Sequence, residues 1–417
     1  MAGSPDFIEP EIICMNRIYC LLVITTFIGC TVDNPGSEHI SEALSSDTLK
    51  IPAHLQEKEN LTALDPSQPP PYEISFTPRE IYGEIYLNPI MSASGHHYNT
   101  VSVDRKGRVY IMDRLEENIH VYNPDGALLT KIGGEGRGPG EFIDMSTIRM
   151  DGDRLMTYGY SLKRIQWFNL DSYDVHVVNL NLTELTNDQG KIVLGTINSV
   201  LPLRNGSILI GGLSPADVRK LSESERTYLR YYSLDENGNL TSDELFQSVL
   251  EKLSHMALNE NSPSDEGIVT VSPDGIIYRA NTSQFLIHAM DVKDSTQRSF
   301  YYPYEHASVD REQVFEDHSD DFRTSMADVE FGDHWPALHS ILADDDNRLW
   351  VSTITEDPDT YTWWVLKDSG ELLAKFDWPR SLEIETVRNG SMYVRDRDWE
   401  KGVLTVQRHK IQMEPIN

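Results

Sequence analysis

Six side chains able to bind a ligand or a cation, His97, Asn99, Asp144, Asn198, Glu266 and His339, stand just ahead of short β-like runs scattered along a 417-residue chain. Carboxylate, amide and imidazole groups can hold Ca²⁺ or Zn²⁺, and they also hydrogen-bond polar ligands. Only His97 and His339 bring imidazoles to this set. The residues therefore read first as a polar pocket, and as a Ca²⁺ or Zn²⁺ centre only if folding gathers several of them. No cofactor is assigned.

Other chemistries lack their residues. No Gly-x-Ser-x-Gly nucleophile elbow, dinucleotide fingerprint or zinc-protease helix is present. The glycine-rich "KIGGEGRGPGEF" at 131–142 has no Gly-Lys-Ser/Thr ending, and no helical pattern follows it, so it is not a phosphate loop. "LADDDNRLW" looks like half a calcium loop but lacks the glycine and distal glutamate, and reads as a hairpin turn. The formal net charge of −30 repels polyanions and argues against a nucleic-acid partner. The three cysteines, Cys14, Cys20 and Cys30, all lie near the N-terminus, so the rest of the chain has no disulfide or thiolate chemistry.

The elements that must position the candidate residues repeat. "VSVDRKGRVYIMD", starting at Val101, is a β-run, a turn closed by Gly107 and a second β-run. The same shape returns as "VLPLRNGSILIGG", "VTVSPDGIIYRAN", "ILADDDNRLWVST" and "IETVRNGSMYVRD", and in shorter form as "IRMDGDRLMTYG". Asp, Asn and Gly supply the positive-φ turns that tight hairpins need. Where a further strand, turn and strand follow, as in "NIHVYNPDGALLTKIG", the unit has four antiparallel strands. This is one blade of a propeller, and six such blades fit residues 72–417. A pair of β-sandwiches would also show short strands and glycine-rich turns, but gives no reason for this unit to recur. The β-like stretch 72–87 precedes the first hairpin and could supply an outer strand of the last blade. Aligning the hairpins by their turns puts Asn99, Ser146, Asn198, Gly267, His339 and Leu382 near the start of each inner strand, with His97, Asp144, Glu266 and Glu383 close by.

Residues 101–142 resemble the NHL-type repeat of six-bladed propellers, through Asp104, Gly107, Tyr110, Asp113, Tyr122, Gly126 and the joint Gly138-Pro139-Gly140 with Phe142. Arg164 of "KRIQWFN" stands where that repeat carries an arginine. The resemblance is to six-bladed propeller lipoproteins of bacterial envelopes. It implies that the glycine-rich stretch crosses from one blade to the next, with Phe142 plugged between them. Some NHL-like enzymes use an axial metal for lyase or lactonase chemistry, which keeps that alternative open.

The N-terminal part reads as a targeting device. Asn16 and Arg17 precede an apolar run, Ile18 to Ile28, too short to span a bilayer but suited to an export signal. "FIGC" resembles the lipobox of bacterial lipoproteins, so Cys30 is the expected lipidation site and Met15 the expected initiator. Residues 1–30 are then a signal, 31–71 a flexible tether ending in "DPSQPPPY", and 72–417 the propeller. An acidic insertion, 305–335, reads as a loop over one face, with Phe331 and Trp335 as lid contacts. The expected protein is a monomeric, lipid-anchored binding module of the envelope, placed by default in the outer membrane, that recognises a protein, peptide or glycan. A metal-dependent hydrolase or lyase acting at the axial mouth is the alternative. Its only membrane contact would be the acyl anchor.

Overall fold

A strand buried on one face needs a covering layer, and here each sheet is covered by the next around a circle. The computed structural model describes residues 51–86, 100–220, 226–251, 265–293, 296–314, 332–398 and 400–416. It begins with a short helix α1 (Ala53–Gln56) and strands β1 (Leu61–Ala63) and β2 (Tyr72–Tyr86). Blade 1 comprises β3 (Val101–Val103), β4 (Val109–Asp113), β5 (Asn118–Tyr122) and β6 (Leu128–Gly133), and blade 2 β7 (Met145–Asp151), β8 (Arg154–Gly159), β9 (Arg164–Asn169) and β10 (Val175–Asn179). Blade 3 comprises β11 (Ser199–Pro202), β12 (Ile208–Gly212), β13 (Arg226–Leu234) and β14 (Phe246–Glu251), with helix α2 (Pro215–Lys220) between its middle strands. Blade 4 has β15 (Gly267–Val271), β16 (Ile276–Asn281), β17 (Leu286–Asp291) and β18 (Gln297–Tyr301), after which comes α3 (Arg311–Val314). Blade 5 has β19 (Leu338–Ala343), β20 (Leu349–Ile354), β21 (Thr360–Leu366) and β22 (Leu372–Pro379). Blade 6 has β23 (Leu382–Arg388), β24 (Ser391–Asp398) and β25 (Val403–Pro415), completed on its outer edge by β2.

The fold is an all-β six-bladed propeller. Its inner strands neighbour one another in the closed order β3, β7, β11, β15, β19, β23 and back to β3. Closure depends on β2, which pairs antiparallel with β25 from Tyr72↔Pro415 to Tyr86↔Val403 and so ties the start of the propeller to its end. Six apolar clusters fill the six gaps between adjacent blades. The cluster between blades 1 and 2 joins Tyr110, Ile119 and Ile132 to Ile148, Leu155 and Phe168, with Phe142 between them. The cluster at the closure joins Tyr82, Ile85 and Tyr393 to Val101, Ile111 and Tyr122.

The glycine-rich stretch is the crossing from β6 to β7. Gly133 has φ +87°, and a Cβ there would lie 2.4 Å from the Phe142 ring, so glycine lets the ring seat against the backbone. Arg164 Nη1 donates to the Gly138 carbonyl at 2.9 Å and fastens the joint to blade 2.

The hairpin turns are built alike where sequence permits. Asp104 accepts from the backbone N–H groups of Lys106 and Arg108 and pairs with Arg108 Nε at 2.6 Å; Asp344 does the same with Asp346, Arg348 and Arg348 Nε. Trp350 Nε1 also donates to Asp344, at 2.9 Å. The carboxylate in "LADDDNRLW" is thus used up inside a turn, as a hairpin reading requires. Neighbouring turns are laced together: Arg105 pairs with Asp153, Arg204 with Asp274, Asn347 Nδ2 donates to Asp274, and Asn389 bonds both Asp345 and the Asp104 carbonyl.

Part of the stretch assigned to the tether is ordered. β1 pairs parallel with β18, giving blade 4 a fifth strand, and Leu55 is buried. A flexible tether therefore does not describe Leu61–Ala63. The outer edge of blade 4 offers unpaired backbone groups that a passing chain can satisfy, and a three-residue strand carries too little pattern to be read from sequence. Phe142→Ala is expected to destabilise the propeller by about 3–5 kcal/mol in urea unfolding, against no more than about 0.5 kcal/mol for exposed Leu128→Ala.

Candidate functional site at the propeller axis

The six inner strands enclose two cavities on the axis. One, of about 100 Å³, lies where β11, β15, β19 and β23 begin, and is lined by Ser199, Gly267, His339 and Leu382 at those strand starts. The other, of about 260 Å³, lies toward the hairpin turns and is lined by Arg105, Asp151, Arg204, Asp344 and Arg388 among others. Arg149, Thr270, Leu342 and Glu385 line both, so they form the waist between them.

The waist is held in place by the strands that carry it. On β7, Ile148 is buried in the cluster between blades 1 and 2 and its neighbour Arg149 faces the axis. On β23, Ile384 and Val387 belong to the cluster between blades 5 and 6, while Glu385 lines the cavities. Glu385 accepts from the Thr100 N–H (3.2 Å) and Oγ1 (3.1 Å) and lies 3.0 Å from Arg395 Nε. Burial nonetheless dominates and pushes its carboxyl up to about 7, against the pull of the Thr100 bonds. The Arg149 side chain makes no hydrogen bond or ion pair with any other described residue, and its Nε is buried without an acceptor. Burial draws its pKa down to about 10, while the Glu385 charge favours the cationic form.

The cavity at the strand starts has an aromatic and charged wall. His339 stacks on Tyr361 with ring centroids 4.1 Å apart, and the Arg380 guanidinium lies 4.6 Å from the same ring. Trp363 is almost wholly buried, and its indole N–H has no acceptor. Glu383 pairs with Arg395 and, at 3.5 Å, with Arg397. Four guanidinium groups, from Arg149, Arg380, Arg395 and Arg397, thus surround two carboxylates, Glu383 and Glu385.

Of the residues expected at this mouth, His339 lines the cavity, together with Gly267, Leu382 and Glu383. Asp144, Asn198 and Glu266 line neither cavity. Asp144 has φ +55°, accepts from the Ser161 hydroxyl and has its N–H held by Glu117 at 2.9 Å. Asn198 is exposed and accepts from Thr196 Oγ1, and the Glu266 N–H is held by Thr282 Oγ1. All three precede their strands by one residue, where the chain is still entering the ring. His97, Asn99, Phe331 and Cys30 lie outside the described residues. Trp335 is 8% exposed, packs with Val314 and Tyr361 in the core between blades 5 and 6, and is not an exposed lid contact. Arg149, Glu385, Arg380, Tyr361 and Trp363 were not anticipated. The signal was a charged residue in the middle of a buried inner strand, "IRMD" and "LEIETV", where β-runs are otherwise apolar.

Among the described residues, one group of three metal-ligand side chains comes together: Asp113, Glu116 and His120 of blade 1. His120 Nε2 is 3.4 Å from Asp113 and 3.9 Å from Glu116, but Lys131 Nζ already sits 2.6 Å from the same Glu116 oxygen. The ammonium fills the place a cation would take. Asp144, Glu266 and His339 do not form such a group.

Residues 98–189 match the family described as 6-bladed beta-propeller, DUF5128, and no curated protein matches the chain. Among solved structures, a candidate exported protein of Bacteroides fragilis is 11% identical with a TM-score of 0.46, covering 85% of this chain and 99% of its own. A DUF4221 member from Bacteroides vulgatus is 8% identical (TM-score 0.47; 82% and 99% covered), and virginiamycin B lyase from Staphylococcus aureus 12% (0.38; 83% and 89%). No residue role passes from these proteins to this one.

Glu385 makes stability depend on pH. Its folded pKa, about 7, stands above the ordinary 4.5, so its contribution is full below pH 4.5 and is lost as pH rises through 7. At about 1.4 kcal/mol per pKa unit, wild type is expected to lose roughly 2–3 kcal/mol relative to Glu385→Gln between pH 4.5 and 8, read from paired urea titrations.

Proposed function

We propose that this protein is a binding module of the bacterial cell envelope, held there by an acyl anchor on Cys30, that takes a peptide or glycan at the axial cavity where the inner strands begin. The observation that carries this reading is Arg149: a half-buried guanidinium whose buried Nε has no acceptor, facing a cavity walled by His339, Tyr361 and Trp363. Unpaired buried donors are costly, of order 1–3 kcal/mol each, and a bound ligand that supplies the acceptor recovers that cost. Concave sites with an aromatic wall and a few convergent polar groups are where propellers and other folds bind small ligands. The signal-like run before Cys30 and the lipobox-like "FIGC" support the envelope location, with two acyl chains sufficient for stable anchoring.

Binding of this kind needs no turnover. Calorimetry of residues 51–417 against peptide and glycan panels is expected to find a ligand whose affinity falls about tenfold, or ~1.4 kcal/mol, in His339→Ala. A ligand whose affinity is untouched by His339→Ala, or a panel member consumed in a reaction that EDTA abolishes, would remove the reading in favour of another face or of metal-dependent hydrolysis.

A further inference from the structure

Resting on the reading above, we infer that the axial ligand is an acidic sugar of the uronate type, its carboxylate seated on Arg149 and its ring and hydroxyls against the wall of the cavity. Three separate observations converge on that chemistry. First, among the described residues the cavity and the wall behind it hold four guanidinium groups against two carboxylates, in a chain whose net charge is −30. Glu383 and Glu385 are engaged by Arg395 and Arg397, and Glu385 also by Thr100, which leaves Arg149 and Arg380 with no carboxylate bonded to them. Arg380 spends its donors on the carbonyls of Thr355, Asp357 and Thr360, whereas the Arg149 side chain has no bonded acceptor. A guanidinium offers donors in a fixed fork that matches a carboxylate, and in a dry site such a bond is stronger than a neutral one.

Second, the cavity presents hydroxyl side chains, Ser199, Thr270 and Ser340, beside the guanidinium. Ser340 shares its Oγ with Ser352 at 2.8 Å, so this group is held in position before a ligand arrives. A ring carrying several hydroxyls matches this lining better than a peptide end, which offers amide groups and one carboxylate. Third, Tyr361 and Trp363 put aromatic surface on the same cavity, and the Trp363 indole N–H is a second buried donor without an acceptor. A sugar has apolar C–H faces for the rings and oxygen acceptors for the donor.

The test is calorimetry in a buffer free of carboxylate and phosphate, with four probes: a glucuronate-terminated oligosaccharide, its glucose-terminated counterpart, and a tripeptide with a free or an amidated C-terminus. The expected result is that the glucuronate probe binds at least about tenfold more tightly than the glucose probe. Arg149→Gln is expected to erase that preference, and Arg149→Lys, which keeps the charge but not the fork, to weaken glucuronate binding. Should Arg149→Gln not fold, the acidic-against-neutral comparison on wild type decides alone. Equal affinity for glucuronate and glucose probes, both weakened by His339→Ala, would overturn the carboxylate contact and leave the binding function standing. Preference for the free-carboxylate tripeptide over both sugars would overturn the sugar assignment. Binding indifferent to both His339→Ala and the Arg149 variants, or none with any probe, would overturn this inference, and the indifferent case the axial binding function with it.

Discussion

The pairing of β2 with β25 is the interaction on which everything else in this propeller rests. Each blade is covered only by its two neighbours, so an open ring would expose two apolar sheet faces at once. β2 closes it with a long antiparallel ladder between the two ends of the propeller, and Tyr82 and Ile85 from that strand enter the cluster joining blade 6 to blade 1. The bond from Asn389 to the Asp104 carbonyl repeats the closure at the hairpin turns. The axial cavities exist because six inner strands are forced to converge without quite meeting. They inherit their shape from the closure.

A converging ring of strands also concentrates whatever charge those strands carry. The chain is strongly acidic as a whole, yet at the strand-start end of its axis the described residues hold four arginines beside two glutamates. Burial acts on both signs, raising the pKa of Glu385 and lowering that of Arg149. Each is moved toward its neutral form because water has been removed from around it. Glu385 is compensated by Thr100 and Arg395, whereas Arg149 is not. A binding site is often where local consistency is relaxed, and here Arg149 and the Trp363 indole N–H both show it.

The fold was legible because its signals are local. Asp104 and Gly107, or Asp344 and Asn347, mark hairpin turns within a few residues, and the glycine-rich joint with Phe142 lies between two readable strands. The closing strand was legible too, as a β-run left over ahead of the first hairpin. The site was far less so. Its residues come from segments separated by up to a few hundred positions, and an alignment anchored on the turns is blurred by bulges such as those at Met145/Thr147 and Ile384/Thr386. Asp144 and Asn198, just ahead of their strands, were read as the mouth, whereas Arg149 and Glu385, farther along theirs, line it. Trp335 was misjudged for a different reason: a tryptophan in an acidic insertion looks exposed, but its N–H bonds the Ala307 carbonyl and its ring enters the core.

The most direct measurement is a crystal structure of residues 51–417 with the glucuronate-terminated oligosaccharide bound. The account predicts density in the cavity where the inner strands begin, with a carboxylate within hydrogen-bond distance, about 3 Å, of Arg149. Ligand density at another face, with Arg149 left facing solvent alone, would contradict it.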